Sequence, residues 1–174
     1  MAAIQHLALD ANIIIEAFKL NAWKPLADKF NIVVTSTIIE EASFFIIDSK
    51  RISISKSEFG KCTQIDPNLQ ELQDIVDIFD NVLLQSVEQG EIEILALVKA
   101  GKLPEECRIC TSDGPAVIAA CLLEYGSFCV SFESLLRKIG FTKSLDYQFT
   151  EEFLTRKVTE GKQNRIQGVG LRKR

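Results

Sequence analysis

Four times along this chain a short run of apolar residues, apolar on both faces, leads directly into a stretch with helical spacing of its apolar positions. IQHLALD (4–10) precedes IIIEAFKL, NIVVT (31–35) precedes TIIEEASFFI, CRICTS (107–112) precedes GPAVIAACLLEYG, and SFCVS (127–131) precedes FESLLRKIG. Repeated strand-helix units with right-handed crossovers build a parallel sheet, and strands apolar on both sides need helices over both faces. The expected fold is therefore α/β, a three-layer α/β/α sandwich around a parallel sheet. In such sheets chemistry gathers at the carboxyl ends of the strands.

With 174 residues and 47% hydrophobic side chains, the chain can bury one proper core. We expect a single domain over residues 1–160, with an insertion at about 48–88 and a basic, mobile tail at 161–174. The tail carries five Lys/Arg and no acid, so a net charge of −4 leaves −4 − 5 = −9 on residues 1–160. An acidic body argues against nucleic-acid binding through one broad basic face, though not against a small site that works by metal ions. Five cysteines, no secretory apolar segment at the start and no apolar run near 18 residues imply a reducing, cytoplasmic setting without membrane insertion.

Within the insertion RISIS (51–55) reads as an edge strand, and Asp66-Pro67 opens a helix reaching about residue 86. GEIEILALVKAG (90–101) is apolar nearly all round, the mark of a buried helix that stops at Gly101. A last helix is expected around 150–158, and Asn12 is placed to cap the first.

Acids stand at telling places in this layout. Asp10 ends the first strand and Asp113 ends the third, so both carboxylates emerge on one sheet edge. Glu41 shares the apolar face of its helix with Ile38 and Phe45, whereas Glu40 faces the polar side. Glu91 and Glu93 are about 200° apart around a helix, so one of them is expected to face the site, and Glu93 is preferred. Two carboxylates about 5 Å apart repel by roughly 3 kcal/mol at an effective dielectric near 20, so such a group takes up protons or binds a hard cation. Oxygen ligands suit Mg²⁺ or Mn²⁺, which activate water and stabilise a leaving oxygen in phosphodiester hydrolysis.

The segments LALDAN (7–12), IIEEA (38–42), GEIEILAL (90–97) and ICTSD (109–113) resemble, in order, the acidic motifs of PIN domains, over roughly residues 4–140. The resemblance implies that Asp10, Glu41, Glu93 and Asp113 are catalytic, that these and Glu91 hold the metal, and that Asn12 and Thr111 support them. It further implies a ribonuclease directed at single-stranded RNA, similar to VapC-type toxins, with an antitoxin protein and a homodimer among its partners. The third acid is Glu where the family more often has Asp, and the 48–88 insertion exceeds that of minimal toxin domains.

Each signal has a plainer reading. Asp113 before Gly-Pro and Asp10 at a strand end can serve as helix caps or turns, and Glu91 and Glu93 as favourable charge at a helix start. Glu133, after the fourth strand, is a reserve ligand. Cys107 and Cys110 form C-x-x-C inside a strand without a second pair, so they read as core residues rather than zinc ligands, and His6 as a strand residue rather than a base. A receiver-type phosphoacceptor lacks here its adjacent acidic pair and its Lys after the last strand. A haloacid-dehalogenase-type phosphatase lacks the second Asp of Asp-x-Asp. A non-catalytic PIN-fold interaction or RNA-binding protein is the alternative of a different class.

Overall fold

The computed structural model describes residues 6–173. Four strands form a parallel sheet: β1 (His6–Leu9), β2 (Asn31–Val34), β5 (Thr63–Gln64) and β6 (Arg108–Cys110), in the order β5-β2-β1-β6. Registers of Leu7 with both Ile32 and Arg108, and of Leu9 with Cys110, bring the carboxyl ends of β1, β2 and β6 level. Helices flank this sheet, consistent with the three-layer α/β/α class. Leu7, Ala8 and Leu9 are fully buried, as a central strand covered on both faces requires. Of the expected first strand, residues 4 and 5 lie outside the described residues.

Helix α1 (Ala11–Lys19) follows β1, and α2 (Trp23–Lys29) leads into β2. After β2 comes α3 (Ser36–Glu41), which stops at Ala42 instead of running on to residue 46. Phe44–Ile47 form β3 and pair antiparallel with β4 (Lys50–Ser53), so RISIS closes a separate hairpin and the edge of the main sheet falls to β5. Asp48 and Ser49, both at positive φ, make its two-residue turn, the geometry that matches hairpin twist. The β-branched and aromatic run FFII, able to pair with a neighbouring strand, outweighs its helical spacing.

The single helix expected over 66–86 is two. Asn68 and Glu71 form a capping box for α4 (Leu69–Ile78), and Asp80 caps α5 (Asn81–Ser86), so a second capping residue interrupts the run at Phe79. Asp66 accepts instead from the Ser36 amide. Next follow α6 (Gln89–Lys99), then α7 (Gly114–Leu122) after β6. The fourth strand shrinks to one parallel bridge between Cys129 and Ile109, because residues 126–128 form a 3₁₀ turn. Helix α8 (Phe132–Lys138) begins where expected.

The largest departure concerns the tail. Helix α9 (Glu151–Gln167) runs well past residue 160 and packs along α7 through Gly161, where a Cβ would stand 2.7 Å from Cys121 Cβ and 3.1 Å from the Ile118 backbone. Beyond it Leu171 bridges Phe79, and the Arg172 amide donates to the Ile78 carbonyl at 2.8 Å. Residues 161–172 are thus seated on the domain rather than trailing from it. Among the described residues no helix is long and apolar enough to cross a membrane.

Candidate functional site

The strand ends bring Asp10, Thr35 and Thr111 to one edge, all three buried. Asp10, rather than the exposed Asn12, caps α1: its Oδ1 accepts from the Ile13 amide at 2.6 Å. Its other oxygen, Oδ2, accepts from Thr111 Oγ1 at 2.6 Å and from the Ser112 amide at 3.0 Å. Thr111 Oγ1 in turn accepts from the Asp113 amide at 2.9 Å, so one hydroxyl ties the ends of β1 and β6 together. Thr111, expected to support the site, makes this bridge, whereas Asn12 has no place in it.

Helix α6 lies across this edge. Both of its acids are buried, Glu91 with 5% and Glu93 with 8% of its surface exposed, so neither turns outward as the 200° separation suggested. They face different neighbours because α6 is covered on more than one side. Glu93 accepts from Thr37 Oγ1 of α3 at 2.7 Å. Glu91 feels the charges of Asp10 and Asp113 and lines, with Asp10 and Thr111, a cavity of ≈ 10 Å³ under the small side chains Ala116 and Ala120. Glu91, not the preferred Glu93, is therefore the acid grouped with the strand-end aspartates.

Glu41 stands at the rim of the same region. Its carboxylate lies over Gly90, where a Cβ would be 2.8 Å from Glu41 Oε2 and 2.7 Å from Ile38 Cγ1. A side chain at Gly90 would displace the Glu41 carboxylate and press on Ile38.

Electrostatics bind these acids into one group. Burial, followed by the charge of Asp10, pushes the Glu91 carboxyl up to about 9. Burial and the same neighbour push Asp113 up to about 7. Asp10 is also raised by burial, against the opposing pull of its three donors. Partial burial, then the charges of Glu88 and Glu93, raise Glu41.

Glu88 recurs in these perturbations and was absent from the expected set. It occupies the N-cap position of α6 without making a capping bond, a place where Ser, Thr, Asp and Asn are favoured. That unusual cap, and its i, i+3 spacing to Glu91, are the sequence signals that mark it. Glu133 accepts from the Glu151 amide at 2.8 Å and so holds α9 to the start of α8. Cys107 and Cys110 are both fully buried.

Among the described residues three carboxylate oxygens are buried without a hydrogen-bond partner: Glu91 Oε1, Glu93 Oε2 and Asp113 Oδ2. Asp113 heads α7 without a full side-chain capping bond, and the Ala116 amide pulls its carboxyl down only weakly against burial. Among the described residues no three His, Cys, Asp or Glu side chains stand close enough together to grip an ion. The unpartnered oxygens form an all-oxygen donor set, the chemistry that hard divalent cations take.

Comparison of the chain with protein-family models, with curated proteins and with solved structures returned no match.

The Thr111 bridge makes a direct prediction. Thr111→Val keeps the shape but leaves the Asp113 amide without its acceptor and Asp10 short of a donor, costing about 1–3 kcal/mol. Urea unfolding should show a lower midpoint at unchanged slope; an unmoved midpoint would mean the bridge contributes nothing.

Proposed function

We propose that this chain is a PIN-like hydrolase of phosphodiester bonds, dependent on Mg²⁺ or Mn²⁺ and directed at single-stranded RNA. The observation that carries the reading is the set of buried, unpartnered carboxylate oxygens on Glu91, Glu93 and Asp113 around the carboxyl edge of a parallel sheet. Burying acids without partners costs stability, which a binding site repays when its cation arrives. Asp10, Glu91 and Asp113 would hold the ion, with Glu41 and Glu93 on the α3 side of α6. Glu88, exposed at the mouth, would meet what enters.

When bound, the cation neutralises the phosphate and acidifies water for attack at phosphorus. The residues themselves keep the geometry. Three donors fix the Asp10 carboxylate in one rotamer, and Thr111 couples it to the backbone of Asp113. Water adds to phosphorus, the bond to the leaving oxygen breaks, and that oxygen takes up a proton. The choice of RNA, and a toxin role with an antitoxin partner, rest on the motif resemblance. A homodimer would find exposed apolar residues on α4 and α5 at Leu69 and Val82.

The test is cleavage of an end-labelled single-stranded RNA pool in Mn²⁺, in Mg²⁺ and in EDTA. Cutting in either metal, absent in EDTA, is expected. A second reading, a non-catalytic protein of the same fold, is favoured by the carboxylates not standing in chelating positions. It requires that no RNA be cut and that Mn²⁺ leave the melting temperature unmoved, whereas binding at 100 times the dissociation constant adds about 2.7 kcal/mol.

A further inference from the structure

The acidic group has a cation at its border. Lys157, on the face of α9 that packs along α7, lays its side chain over Gly114: a Cβ there would stand 2.8 Å from Lys157 Cε and 3.5 Å from its Nζ. Gly114 is the first residue of α7 and directly follows Asp113, whose charge Lys157 offsets. The absence of a side chain at 114 is what admits the lysine to this edge. Its side chain is 24% exposed, and Nζ is held by Glu160 at 2.8 Å, one turn along its own helix. A pair at i, i+3 near the surface is a weak one, so it gives way readily to a stronger anion.

A site made of carboxylates must receive a polyanion. Glu91, buried with Oε1 unpartnered beside Asp10, already indicates that a ligand belongs here. That ligand's phosphate needs positive charge on the side the carboxylates do not supply. We propose that Lys157 is a substrate-binding residue, which leaves Glu160 to hold a non-bridging oxygen of the phosphodiester at the mouth of the site, with Gly114 as the notch through which it reaches. The inference rests on the phosphodiesterase reading and adds a residue to it from outside the acidic motifs.

The test is binding of a fluorescent single-stranded RNA by anisotropy across a range of salt, with Ca²⁺ in place of Mn²⁺ so that binding is read apart from cleavage, and with steady-state cleavage in Mn²⁺ beside it. Lys157→Gln should weaken binding about 3- to 10-fold and reduce the salt slope by about 0.7, the share of one phosphate contact on a single strand. In cleavage it should raise KM more than it changes kcat. Lys157→Arg should bind like wild type. Gly114→Ala keeps the lysine but fills its notch and should reproduce Lys157→Gln, while Glu160→Gln, which frees the lysine, should not weaken binding. Melting temperatures close to wild type show that each variant is folded. Unchanged affinity and salt slope in Lys157→Gln, with wild type binding and cutting, would overturn the role of Lys157 and leave the nuclease reading standing. A wild type that neither binds nor cuts RNA would overturn both.

Discussion

Asp10→Asn should reduce Mn²⁺-dependent cleavage on the order of 10³-fold while leaving the protein folded. At 1.36 kcal/mol per tenfold, that is about 4 kcal/mol of transition-state stabilisation lost. Asp10 is the acid best suited to this test because its structural and chemical roles separate. Asn caps a helix as well as Asp does, so the bond from the Ile13 amide survives. The remaining loss is one oxygen facing Thr111 and Ser112, where the Asn amide presents a donor to the Ser112 amide. That misfit is offset in part by removal of a buried charge. Asp113→Asn should show a similar loss of activity, since Asn keeps an oxygen for the Ala116 amide and removes only the charge. Cleavage at wild-type rates in both variants would mean either that the acids are not the site or that the activity belongs to a contaminant. A melting temperature lowered by more than about 10 °C would transfer the loss from chemistry to folding.

Glu91→Gln is expected to stabilise the metal-free protein at pH 8. In the native state the Glu91 carboxyl titrates at about 9, far above its ordinary 4.5, so the folded protein holds a proton there that the unfolded chain releases. Between those values the native state binds more protons, and stability falls as pH rises. This contribution is complete below about pH 4.5 and is lost progressively toward pH 9; Asp113, raised to about 7, acts in the same direction over a lower window. Gln carries the neutral shape at every pH. In EDTA the variant should therefore melt on the order of 5 °C above wild type at pH 8, at about 2–4 °C per kcal/mol, and near wild type at pH 5. Mn²⁺ should raise the wild type and leave the variant nearly unmoved. A variant less stable than wild type at pH 8 in EDTA would show that Glu91 has a stabilising partner, and the site would lose its centre.

How far the chain could be read depended on what each residue answers to. Asp10 and Asp113 were legible because strand ends in a parallel sheet share an edge whatever the packing details. Thr111 came through the motif, and its bridge from Asp10 to the Asp113 amide is a matter of tertiary distance. Glu91 and Glu93 were misjudged because a helical wheel assumes one buried face, while α6 is covered from the sheet side and by α3. Glu88 went unseen, since an acid preceding a helix looks like ordinary favourable charge until its capping bond proves missing.

The local pattern alone determined the strand-helix alternation, the parallel sheet and the edge where the acids emerge, because these follow from short-range sterics and from periodicity that every β-α unit repeats. Tertiary structure decided what periodicity cannot express. FFII turned from helix to hairpin once a partner strand was in reach. Residues 161–172 became part of the body because Gly161 lets α9 close on Cys121, and that same docking carries Lys157 to Gly114. Which carboxylates share a field, and which cation borders them, depends on side chains far apart in sequence whose separation is fixed only when the core excludes water.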